Sequence, residues 1–185
     1  MADGDNEARR LFEQVYQNVF GQQGSSLHYD VNLVGVYKTA GTICYKGKKS
    51  RFTDARVDSW NDGVTVYTVN RKKKIVDIYD ATTGNHDKYA SKFKFTLDDF
   101  DYSMERTAEG IWFTLRQRHD AKGTVKQVKA LVDAQTLAPV HVKVKVALFW
   151  AHIRISHFRS GSISDDVFNF PFVRYTEGYR FLDHR

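Results

Sequence analysis

The residues whose types and spacing come nearest to doing chemistry lie between Tyr45 and Phe52, in the stretch YKGKKSRF. Gly47, Lys48 and Ser50 approach a phosphate-binding loop, in which backbone amides cradle phosphate and a lysine answers its charge. The pattern fails on spacing, because Gly41 stands one residue too far from Gly47 and Lys49 separates Lys48 from Ser50. It also fails on context. Such a loop must lead from a strand into a helix, whereas the next residues, RFTDARVDSW, read as a strand. A hairpin turn at Gly47 with solvated lysines fits better.

The same cations raise a second chemistry. Lys46, Lys48, Lys49 and Arg51, with the run Arg71 to Lys74, flank Tyr45, Phe52 and Tyr67, as a nucleic-acid surface would. The net charge of +6 permits it, but 22 acidic residues are spread along the chain and no recognition motif accompanies the cations. Charge runs at turns more often keep sheet edges soluble, so no nucleic acid is expected. The seven histidines are dispersed, without a helical H-x-x-x-H, and the single cysteine, Cys44, excludes an internal disulfide and a Cys-based zinc site. No G-x-S-x-G elbow and no glycine-rich cofactor fingerprint occur. The expectation is a binding protein without catalysis, cofactor or metal.

Elements able to position a binding site are legible. Ala8, Leu11, Phe12, Val15, Tyr16, Val19 and Phe20 recur at helical spacing and predict one amphipathic helix, closed by Gly21 or Gly24. From HYDVNLVGVYK onward the period changes to two. Asn61-Asp62-Gly63 between alternating runs predicts a hairpin, and IVDIYD follows the second basic run. Residues 81–97 read as an irregular covering segment. The alternation in VHVKVKVALFW places Val140, Val142, Val144, Val146, Leu148 and Trp150 on one face and His141, Lys143 and Lys145 on the other. The sum is roughly nine to eleven strands behind one helix. Strands clustered in this way exclude a doubly wound α/β fold. The fold class expected is α+β, mainly β, in a single domain over 1–185. It is a large curved antiparallel sheet, a half-open barrel, with the helix and short helices on its concave face. No run of 18 apolar residues appears for a membrane-spanning helix.

Aromatics make up 14% of the chain, more than a sheet backed by one helix needs for packing. A plain core is one account of the surplus; a cavity for an apolar ligand is the other.

In order and spacing these pieces resemble the lipoprotein carrier family LolA, in its Bacteroidetes-type form. GTICYKGKKSRF is similar to that family's strand and K-G-x-K-F-R pattern, and WNDGVTVYTVNRKKKIVDI to its D-G hairpin. IWFTLRQRHDAKGTVKQVKALVDAQTLAPVHVKVK resembles its later strand pair, and DDVFNFPFVRYTEGYRFLDHR its ending. Ser50 stands where the family carries an aromatic, and Thr176 where it carries a proline near the end.

The resemblance implies a half-barrel with a helical lid, and acyl chains of lipoproteins in the cavity between them. It implies a monomeric periplasmic carrier, its leader removed, that serves an inner-membrane lipoprotein-release transporter and an outer-membrane acceptor. A lipid- or lipoprotein-binding sensor on the same fold, without a transfer role, is the alternative it leaves open. Arg51 matches the arginine that holds the family's lid closed. The ligand-binding residues expected are Leu11, Phe12, Val15, Tyr16, Val19, Tyr45, Arg51, Trp60, Tyr67, Trp112, Phe149 and Phe158.

Overall fold

The computed structural model of the chain describes residues 2–33 and 37–185. The chain opens with helix α1, Ala2–Phe20. Its stripe behaves as the spacing predicts, with Ala8, Phe12, Val15 and Val19 buried. Burial of the three larger side chains contributes about 5 kcal/mol or more, which seats the helix on the sheet. The Gly21 amide donates to the Gln17 carbonyl at 2.8 Å and closes the last turn.

Among the described residues twelve strands follow, where nine to eleven were expected. They are β1 Ser25–Leu33, β2 Tyr37–Lys46, β3 Lys49–Asp54, β4 Val57–Asn61, β5 Thr65–Asn70, β6 Ile75–Asp80, β7 Phe100–Thr107, β8 Gly110–Gln117, β9 Val125–Val132, β10 Pro139–Val146, β11 Phe149–Ser160 and β12 Arg180–Asp183. All belong to one curved open sheet, in the order β12-β6-β5-β4-β3-β2-β1-β11-β10-β9-β8-β7. Neighbours are antiparallel except β12, which runs parallel to β6. This is the helix-covered half-barrel that the resemblance to LolA implies. Gly47, at φ 57°, makes the β2–β3 turn, and Gly63, at φ 92°, the turn between β4 and β5. Both positions need the left-handed backbone that glycine adopts without strain. The alternation through HYDVNLVGVYK divides into β1 and β2, and its residues 34–36 lie outside the described residues.

One expected face is corrected. A register shift between Pro139 and His141 takes Val140 out of the alternation, and Val140 is exposed. A bulge of this kind inserts one residue and turns the strand. The run then ends at a turn through Ala147 and Leu148, so Leu148 projects into solvent at 87% exposure. Trp150 pairs across the strands with Lys145 and sits on the lysine face, not the valine face.

The two faces carry different covers. On the concave side lie α1 and the segment 81–99, which contains the short 3-10 helices Ala90–Phe93 and Leu97–Asp99. On the convex side of β4–β6 lies the chain between Phe170 and Tyr179, where Phe170, Tyr175 and Tyr179 pack on Trp60, Tyr67 and Ile78. Every residue of β4 is consequently buried.

Candidate functional site: an apolar cavity under a tethered cover

Strand alternation and the helix stripe converge on a cavity of about 420 Å³. Its helix wall is Phe12, Val15, Tyr16, Val19 and Phe20. Its sheet wall includes Leu27, Ile43, Phe52, Val142, Val144 and Ile153, and Phe93 and Phe95 close it from the covering segment. Val142 faces Ile153, and Val144 faces Ala151, directly across the β10–β11 pair. Such cross-strand pairs share one face, so period-two sequence in β1, β10 and β11 becomes a continuous apolar wall. The volume falls in the range of small-molecule sites, roughly 300–1,000 Å³. Four charged residues, Asp54, Arg56, Lys92 and Lys94, complete a lining that is otherwise mostly apolar.

The cover is held by a few polar bonds. Three tyrosines donate to three of its carbonyls: Tyr45 to Ala90 at 2.6 Å, Tyr16 to Phe95 at 3.2 Å and Tyr102 to Leu97 at 2.7 Å. Burial pushes all three phenols above their ordinary range, so they stay protonated and able to donate. Ser50 Oγ and Asn61 Nδ2 both donate to Asp87 Oδ2, at 2.5 and 3.2 Å. Arg9 of α1 pairs with Asp98 at the far end of the cover.

The expected site residues divide. Phe12, Val15, Tyr16, Val19 and Tyr45 line the cavity. Leu11 packs into the α1–β7–β8 core instead. Phe158 packs on the cluster around Val19 and Leu27 without reaching the cavity, beside a bulge where His157 takes φ 52°. Phe149 is 59% exposed at the β10–β11 turn.

Arg51, Trp60, Tyr67 and Trp112 stand on the opposite face of the sheet. Cys44, Arg51, Trp60, Tyr67 and Ile78 form one row of cross-strand partners. The neighbouring row, with Tyr45 and Ser50, faces the cavity. One residue of displacement along a strand reverses the face. Arg51 therefore does not latch the cover. Its guanidinium stacks 3.8 Å above the Trp60 ring and donates to Asp58 Oδ1 at 3.3 Å and to the Phe52 carbonyl at 2.5 Å. Burial lowers its pKa, and the Asp58 charge offsets part of that. Trp112 likewise lies outside, under Lys143, whose Nζ is 5.4 Å from the ring centroid.

The residues overlooked in the sequence follow from the same alternation. Phe52 and Ser50 are the cavity-side neighbours of Arg51, and Val142 and Val144 sit in a run whose period was plain. Phe93 and Phe95 carried no periodic signal, because they lie in short 3-10 turns and extended chain.

The basic runs do not form one surface. Lys46 and Lys49 both reach Asp165 at 3.2 Å, and Lys46 also donates to the Ile163 carbonyl. Arg71 pairs with Asp58 beneath the sheet, on the face where Arg51 lies. Lys46 and Lys49 thus hold the C-terminal region, and Arg71 braces the β3–β4 turn.

Comparison with solved structures places the fold. An uncharacterized conserved protein from Thermus thermophilus superposes with a TM-score of 0.64 at 8% identity, covering 96% of this chain and 99% of the other. The two chains share a fold. MucB superposes with a TM-score of 0.50 at 11% identity, covering 90% of this chain and 64% of its own. A LolA superfamily protein from Nitrosomonas europaea gives 0.45 at 10% identity, covering 89% of this chain and 98% of that one. At these identities the likeness is one of fold alone. No protein-family model and no curated protein matches the chain.

Proposed function

We propose that this protein binds the acyl chains of lipoproteins in its concave cavity and carries them, without catalysis, through the periplasm toward the outer membrane. The observation that supports this reading is the predominantly apolar wall of the 420 Å³ space between α1 and the sheet. An acyl chain entering such a space gains about 0.8 kcal/mol per CH₂ removed from water. A carrier must also release what it holds. A cover tied by a handful of hydrogen bonds, each worth about 1 kcal/mol net, opens at modest cost and supplies the two states that uptake and release require. The resemblance in sequence adds the transporter that loads the cavity and the acceptor that empties it.

The test is native mass spectrometry of protein purified from cells, followed by titration with a diacylated lipopeptide. Copurifying lipid and saturable lipopeptide binding that Ala151→Trp abolishes are expected. A cavity that stays empty, with no thermal shift on adding lipopeptide, refutes the reading. Binding without transfer to acceptor vesicles or acceptor protein would leave a binder and remove the carrier.

A further inference from the structure

A second cavity, of about 390 Å³, shares Lys94 with the first and has a mixed polar and apolar lining. Lys48, Asn61, Asn85, His86, Asp87 and Ser91 are among its lining residues. Lys94 lines both cavities. Its ammonium lies 5.4 Å from the ring centroid of Tyr45 and 5.8 Å from that of Phe20, so it caps the aromatic end of the apolar space. Among the described residues no carboxylate pairs with Lys94 or with Lys48. Burial lowers the Lys94 pKa, and the more distant Asp87 charge only partly restores it. A half-desolvated ammonium without an anion is costly, and a bound anion relieves that cost. On the same wall, Asp87 Oδ1 is buried without a hydrogen bond, while Oδ2 holds Ser50 and Asn61.

We infer that the two cavities take one amphiphile, its acyl chain in the apolar space and an anionic head, a carboxylate or phosphate, at the Lys94 ammonium. This rests on the acyl-binding reading above and narrows it, since a neutral acylated ligand would leave Lys94 unanswered. Lys48, also on the wall of the second cavity, adds positive charge. Asp87 Oδ1 accepts from a hydroxyl or ammonium of the same head, which favours heads that carry a donor beside the anion. Charge-assisted bonds of this kind contribute more than neutral ones, so the head selects among ligands that share a chain.

The experiment compares dissociation constants for three probes of equal chain length: palmitic acid, 1-palmitoyl lysophosphatidic acid and hexadecanol. Wild-type protein is expected to bind at least one anionic probe roughly tenfold or more tighter than the alcohol, the fold-change one charge-assisted hydrogen bond gives. Lys94→Met should erase that preference, bringing the anionic probes to the affinity of the alcohol, and Lys94→Arg should keep it. The two acids tell a carboxylate head from a phosphate head. Equal binding of alcohol and acids, or a preference that survives Lys94→Met, overturns the inference and leaves acyl binding standing. Failure of all three probes to bind overturns both.

Discussion

Ser50 Oγ donates to Asp87 Oδ2 at 2.5 Å and so joins strand β3 to the segment that covers the cavity. Asn61 on β4 reaches the same oxygen. This carboxylate joins the tyrosine hydroxyls in tying the cover to the sheet, a part that Arg51 does not take. Asp87→Ala should loosen residues 87–95 and speed release of a bound acyl probe, with the sheet intact. The cost is expected at about 1–3 kcal/mol, as for a hydrogen-bonded group lost from a partly buried site. Hydrogen exchange of the cover, set beside that of β4 and β5, checks it; equal protection in both proteins would count against the tie.

Arg51 has the opposite signature. It stacks on Trp60 and neutralises Asp58 beneath the C-terminal segment. Arg51→Leu should lower stability by about 2 kcal/mol, since Asp58 loses one of its two cationic partners and keeps Arg71 and the Thr53 hydroxyl. Acyl binding at a temperature where the variant is folded should be unchanged. A variant with wild-type stability and altered release would return Arg51 to the role of latch.

The three tyrosine ties give a pH dependence. Tyr16, Tyr45 and Tyr102 are raised in the folded state by burial. In the unfolded chain they ionise near the ordinary value of about 10. Below that value both states hold the proton and the contribution is complete. Above it the unfolded state loses protons first, so stability falls as pH rises. The denaturation midpoint should decline above about pH 10, and less steeply when all three are changed to Phe. A flat midpoint to about pH 11 would contradict the burial of these phenols.

The convex cluster is structural. Phe170 is buried between Trp60, Tyr67 and Tyr175, with ring centroids 5.2, 4.4 and 5.3 Å away. Phe170→Ala should cost about 3–5 kcal/mol, seen in chemical denaturation, and should leave the capacity for an apolar probe unaltered.

How far the sequence reaches can be judged at single residues. The stripe from Ala8 to Phe20 specified the helix because one helix has one period and one partner. The same period-two logic identified the strands at Gly47 and Gly63, where turn chemistry is local. The face of each strand was harder. Arg51 and Ser50 are adjacent, and only the pairing of β3 with β2 and β4 decides which one looks into the cavity. A family arginine in the right place in sequence carried no information on that choice. Val140 and Trp150 departed from their run because a bulge and a turn interrupt the alternation, and neither has a distinctive residue. The cover was legible only as an irregular stretch, since Phe93 and Phe95 are positioned by what they touch rather than by a repeat.

The middle of the sheet is the pairing of β1 with β11, which joins Ser25 to Ser160 and Leu33 to Ala151. The cavity therefore spans a seam between the first strand and the eleventh. During synthesis β2–β6 can zip up by local hairpins, and β7–β11 can do the same, but each presents an unmatched apolar wall until the seam closes. Contacts so distant in sequence form late because the loop between them must first be ordered. The space that receives a guest in the finished protein is thus also the surface most exposed to wrong partners while the chain is being made.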